Sequence, residues 1–186
     1  LDSYPLRKGA MERAALFIDG ANNYATLKAL KCTIDYKGLL QYVKEKCDLL
    51  RAYYYTALPE DDKSELCKIV SWLSYNGYTC VTKHTKEYVR ADGSFKIKGN
   101  MDVEIAVDII QLSSTLQRVY LFSGDGDFCY LVNALKKLGV RVVIVSSNKV
   151  TPPILSSALT KSADEFIEMS ELPFSVIKQK HANLQS

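Results

Sequence analysis

Residues 119–145 read VYLFSGDGDFCYLVNALKKLGVRVVIV. An apolar run, Val119–Phe122, gives way to small and acidic residues. A helical pattern follows from about Asp127 to Leu138 and stops at Gly139, and a second apolar run covers Val140–Val145. Short apolar runs bounded by turn residues read as buried strands, and a strand–helix–strand unit closes as a parallel pair. The same rhythm extends toward the N-terminus. Strands are expected at Ala14–Ile18, ending at Asp19-Gly20, at Leu49–Ala57 with its three tyrosines, and at Tyr78–Lys83 after a stop at Gly77. Helices are expected over Tyr24–Leu30, Tyr36–Lys46 and about Asn100–Ser114. A further one carries Leu66, Ile69, Val70 and Leu73 at helical spacing and is capped by Asp61 or Asp62. Tyr88–Ile97 alternates around Ala91-Asp92-Gly93 as a hairpin. Pro152-Pro153 opens a last helix, and Phe166–Met169 adds an edge strand. Strands alternating with helices predict an α/β domain with a doubly wound, mostly parallel central sheet.

At 186 residues, 47% hydrophobic and 24% charged, the chain suits one folded domain. Residues 1–10 lack periodicity and read as a flexible leader or appended remnant; the domain is placed at 11–170, and 171–186 form a polar, frayed tail. No apolar run reaches the ~18 residues of a membrane span, and there is no signal-peptide core. The five cysteines are scattered without a C-x-x-C pair, which disfavours a disulfide framework or zinc site and suits a reducing cytoplasm. Net charge is +3, and Lys83, Lys86, Arg90, Lys96 and Lys98 against Glu87 and Asp92 account for that whole surplus. This segment reads either as a solvated hairpin or as a phosphate-contacting strip. Tyr88 and Phe95 within it either stack on unpaired bases or simply follow hairpin alternation.

In a doubly wound sheet the ligand site lies beyond the carboxyl ends of the strands, at the point where strand order reverses. Asp19 follows the first strand, and Ser123-Gly124-Asp125-Gly126-Asp127 follows the fourth. Asp102 opens the helix entering that fourth strand, with Glu104 and Asp108 further along. Two unit charges at ~4 Å repel by roughly 4 kcal/mol at an effective dielectric near 20. Clustered carboxylates therefore raise their pKa values or hold a divalent cation. Oxygen-only ligands favour Mg²⁺ or Mn²⁺ over zinc. Such a site suits attack on a phosphodiester by metal-activated water.

Each acid alone also fits a structural role. Asp19-Gly20 suits a strand-end turn, Asp125 or Asp127 a helix cap, and Asp102 a helix first turn. One cap accounts for one aspartate of the Asp125/Asp127 pair and leaves the other. Asp102 and Asp108 lie about 240° apart on an ideal helix, so Asp102 is assigned to the site and Asp108 to a supporting or surface role. Ser123 is a candidate donor to a carboxylate or phosphate. Asn22 and Asn23 are expected to orient Asp19 or to cap the first helix, with capping favoured for at least one.

Three motifs, Phe17-Ile18-Asp19-Gly20-Ala21-Asn22, Lys98-Gly99-Asn100-Met101-Asp102-Val103 and Ser123-Gly124-Asp125-Gly126-Asp127-Phe128, resemble those of NYN domains. The likeness is to the LabA-like (DUF88) branch of the PIN-like nuclease superfamily, and Ala163-Asp164-Glu165-Phe166-Ile167 is similar to that branch's C-terminal motif. It spans about residues 14–168, and no departure removes an acidic motif position. The resemblance implies a three-layer α/β/α PIN-like (Rossmannoid) fold and an acidic Mg²⁺ or Mn²⁺ site acting on RNA. Asp19, Asp102, Asp125 and Asp127 would be its metal-site and catalytic residues, and Asn22 and Lys98 match motif positions.

The leading expectation is a metal-dependent ribonuclease of the cytoplasm, with single-stranded or structured RNA as partner. The alternative is a catalytically weak RNA-binding or regulatory module retaining a cation-binding acidic pocket. A dinucleotide-binding domain is disfavoured because the G-x-G-x-x-G fingerprint lacks its third glycine. Ala21 breaks a D-x-D phosphatase pattern, and His84 and His181 are poorly placed for a hydrolytic triad.

Overall fold

The computed structural model describes residues 11–59, 64–89 and 95–179, with side chains of 86–98 excluded from description. Six strands form the central sheet: β1 (Arg13–Asp19), β3 (Asp48–Leu58), β4 (Thr79–His84), β7 (Arg118–Phe122), β8 (Arg141–Ser146) and β9 (Glu165–Glu168). Their spatial order is β4-β3-β1-β7-β8-β9, and every pairing is parallel. The order reverses between β1 and β7, so a crevice opens at their carboxyl ends.

The apolar runs of β1, β7 and β8 are continuous because helices cover both faces of the sheet. Along β1, Ala14, Leu16 and Ile18 enter one core while Ala15 and Phe17 enter the other. The first core is covered by α1 (Gly20–Ala29), α2 (Tyr36–Lys44) and α3 (Glu65–Tyr75). The second lies under α4 (Asp102–Leu112), α5 (Cys129–Lys137) and α6 (Ser157–Ser162). The three-layer α/β/α architecture is thus observed. The tyrosines of β3 serve packing: Phe17 stacks on Tyr53 and Tyr55 with ring centroids 5.1 and 6.5 Å apart, while Tyr54 faces the opposite core. Burying an aromatic or aliphatic side chain of this size contributes about 1.5–3 kcal/mol.

Strands β5 (Lys86–Val89) and β6 (Phe95–Lys98) pair antiparallel as the expected hairpin. Its expected turn at Ala91-Asp92-Gly93 lies outside the described residues, as do the candidate caps Asp61 and Asp62; Ser64 caps α3 through Cys67 N. Three expectations are corrected. Helix α6 begins at Ser157, well beyond Pro152-Pro153. The first helix begins at Gly20 because Asp19, rather than Asn22 or Asn23, accepts from Asn22 N and caps it. The segment after Pro173 is built into the fold: β10 (Ile177–Gln179) pairs antiparallel with β2 (Cys32–Ile34), and Val176 and Ile177 are buried in the first core. Two buried apolar side chains outweigh the polar composition around them.

Candidate metal centre

The carboxyl ends of β1 and β7 are tied together by polar side chains. Asp19, only 7% exposed, accepts from Asn22 N at 3.2 Å and from the Ser123 hydroxyl at 3.1 Å. The same Ser123 oxygen accepts from Asp125 N at 3.2 Å, and Asn22 Oδ1 accepts from Gly124 N at 2.9 Å. Ser123 and Asn22 therefore act as supports, holding the β7 loop against the end of β1. A side chain at Gly124 would crowd the Ser146 hydroxyl and the Ile154 carbonyl, each within 3 Å of an added Cβ. Only glycine lets this loop pass so close to the segment leading into α6.

Asp125 then accepts from Asp127 N at 3.0 Å and caps a short 3-10 turn, Gly126–Phe128, ahead of α5. Capping by Asp125 leaves Asp127 exposed in the first turn. From the other side, Asn100 Oδ1 accepts from Asp102 N at 2.8 Å and its Nδ2 donates to Asp102 Oδ2 at 2.6 Å, fixing Asp102 at the start of α4. Carboxylate oxygens of Asp102, Asp125 and Asp127 fall within 4.8 Å of one another. Asp19 lies behind them, lining one cleft with Asp102 and Asp125.

Burial chiefly, with repulsion from Asp102 and Asp125, holds the Asp19 carboxyl above the ordinary aspartate value. Burial also raises Asp102, reinforced by Asp125 and Asp127 and partly relieved by Asn100 and Lys83. The ionised cluster thus carries a cost that a bound cation offsets. Three oxygen donors, half-buried to exposed and with no histidine or cysteine among them, match a hard divalent cation.

Asp108 is not brought to this cluster. It accepts from the buried Tyr55 hydroxyl at 2.9 Å on the underside of α4, the separation its helical phase requires. Lys83 ion-pairs with Glu104 at 2.8 Å, two residues on from Asp102 in the first turn of α4, and so is partly committed within the fold. Arg90 and the side chains of Lys86, Lys96 and Lys98 lie outside the described residues. Asn100 was not assigned a role from the sequence. Its signal is the Asn-x-Asp spacing, which suits an Asx turn receiving the amide two residues on.

The cleft has a volume of about 820 Å³. Its floor is the end of β3, one wall is α1 with α3, and the opposite wall is Gly99–Asp102. Among the described residues, no helix is long and apolar enough to cross a membrane.

Comparison with known proteins agrees with the fold. The chain is 28% identical over 166 residues to the low amplitude and bright protein LabA of Synechococcus elongatus, covering 86% of this chain and 85% of that one. A crystal structure of a protein of unknown function, VPA0982 from Vibrio parahaemolyticus, superposes with a TM-score of 0.72 at 24% identity. That match covers 93% of this chain and all of the other, and it shows the shared fold. Residues 13–171 match the NYN domain, and the chain belongs to that family.

Proposed function

We propose that the chain is a metal-dependent ribonuclease, hydrolysing RNA phosphodiester bonds at the carboxylate cluster. The observation that carries this reading is the convergence of Asp102, Asp125 and Asp127 within 4.8 Å at the strand-order reversal. Family membership supports it, since NYN domains resemble PIN-like nucleases. Asp102, Asp125 and Asp127 would hold a cation such as Mg²⁺ or Mn²⁺, with Asp19 adding negative charge from below. A divalent cation supplies Lewis-acid charge that stabilises the phosphorane-like transition state and acidifies an attacking water. The protein's own part is positional. Asn100 orients Asp102, Ser123 and Asn22 hold the β7 loop to β1, and the Gly124 close approach fixes where Asp125 and Asp127 project. Rigid placement of charge ahead of the reaction is the largest contribution such a site makes.

The test is cleavage of a labelled single-stranded RNA with Mg²⁺, Mn²⁺ or EDTA, comparing wild type with Asp125→Asn and Asp127→Asn. Cation-dependent cleavage lost in both variants is expected. Equal trace activity in wild type and variants overturns the reading.

A further inference from the structure

The cleft does not end at the carboxylates. Beyond Asp19 and Asn22 it runs between α1 and α3, where Tyr24, Leu27, Tyr54, Leu66 and Ile69 line it. Leu27 on the wall and Tyr54 on the floor are buried, whereas Tyr24 and Ile69 stand at the rim, 66% and 43% exposed. One continuous cavity thus joins an acidic, cation-suited end to an apolar and aromatic arm. Leaving a large tyrosine ring in water at the mouth of an apolar slot gains nothing for folding.

We propose that this arm is a subsite for one unpaired nucleobase of an RNA strand, with Tyr24 stacking on the base while the adjoining phosphodiester lies at the carboxylates. The proposal rests on the ribonuclease reading and names the class of substrate that the same site selects. A nucleobase has two apolar faces and is covalently tied to a phosphate. It therefore suits a cavity whose apolar and cation-binding ends are continuous. A base in a duplex is paired and stacked on its neighbours, so it enters such a slot only when unpaired or turned out of the helix. The site consequently prefers single strands, loops and ends. Stacking on an aromatic ring is tolerant of base identity, so the arm selects strandedness rather than sequence.

The experiment uses the full chain carrying Asp125→Asn, which keeps the cleft and on the ribonuclease reading does not cleave. Short RNAs carrying 2-aminopurine at successive positions are titrated into it with Mn²⁺ present, single-stranded and as the matched duplex. One position of the single strand is expected to be quenched on binding, and the duplex to bind more weakly. Adding Tyr24→Ala weakens single-strand binding about 5- to 150-fold, and Tyr24→Phe, which keeps the ring, restores it. Tyr24 is exposed, so neither change threatens the fold. Unchanged affinity in Tyr24→Ala, equal binding of duplex and single strand, or no RNA binding overturns the subsite. Wild-type cleavage is scored separately. Cleavage with no Tyr24 dependence leaves the ribonuclease reading standing and removes the subsite; Tyr24-dependent binding with no cleavage does the reverse.

Discussion

The Ser123 hydroxyl donates to Asp19 Oδ2 at 3.1 Å across the ends of β7 and β1, the two strands between which sheet order reverses. Its oxygen also accepts from Asp125 N. One small side chain therefore couples a buried carboxylate to the loop carrying two exposed or half-buried ones. Ser123→Ala removes a donor to a buried charged group, and a hydrogen bond of that kind contributes about 1.5–3 kcal/mol. Loss of stability in that range is expected by urea denaturation at pH 7. The hydroxyl also holds the Asp19 carboxyl below where burial alone would put it. The deficit should therefore shrink as acidification protonates Asp19, and a constant deficit across pH would contradict the assignment.

Asp102 gives a prediction of opposite sign. Its carboxyl is held above the ordinary value by burial and by the neighbouring Asp125 and Asp127. A carboxyl with a raised folded-state pKa binds its proton more tightly in the folded chain. Its ionisation thus costs stability as pH rises from the unfolded value through the folded one. At pH 7 in EDTA, Asp102→Asn should melt at a higher temperature than wild type. With Mn²⁺ the order should invert. A cation at 100 times its Kd stabilises by about 2.7 kcal/mol, which for a chain of this size is about 5–10 °C, and the variant should gain much less. A variant that melts lower in EDTA would show that Asp102 is held by favourable contacts instead.

Much of this arrangement was legible because it rests on periodicity and on strand ends. Ala14–Ile18 and Val140–Val145 announce buried parallel strands by unbroken apolar runs, and both pair in parallel within the sheet. The acids at 19, 102, 125 and 127 stand where strands end or a helix begins, so topology brings them toward one edge. What stayed hidden depends on long-range partners. Asn22 bonds to a residue 102 positions away, and no local pattern distinguishes that from capping. Residues 176–179 read as a polar end because the burial of Val176 and Ile177 comes with distant partners, among them β2, which carries only three residues. Tyr24 looks like an ordinary helical residue until α3 is set opposite it across the cleft.

Glu168 supplies a pH-dependent prediction away from the cluster. Burial opposes its ionisation, but the Ser147 hydroxyl, the Ser170 and Asn148 amides and the Ser170 hydroxyl outweigh it and hold its pKa below the ordinary value. A lowered carboxylate stabilises the fold above its unfolded value of 4.5 and loses that contribution as pH falls through the folded value. Glu168→Gln should therefore cost about 1.5–3 kcal/mol at pH 7. The gap to wild type should close below the glutamate range in urea melts at successive pH values. A deficit that stays constant on acidification would mean that packing, not charge, sets the role of this side chain.

Gly38 tests whether the C-terminal segment belongs to the core. It sits in the first turn of α2, three residues after the cap Asp35, where alanine would ordinarily favour the helix by about 0.8–1.0 kcal/mol. Here a Cβ would overlap the carbonyl oxygen of Ser175, a backbone group that cannot swing aside as a flexible side chain would. That carbonyl is held near Val176, which is fully buried, and the Val176 carbonyl accepts from Asp35 N at 2.7 Å. Gly38→Ala therefore forces the segment outward against its buried anchor, and overpacking of this kind costs typically 1–3 kcal/mol. Destabilisation is expected by urea denaturation, with faster amide exchange at Cys32–Ile34 as β10 loosens from β2. Stabilisation by the usual helix preference would mean that residues 173–179 do not rest on α2 in solution.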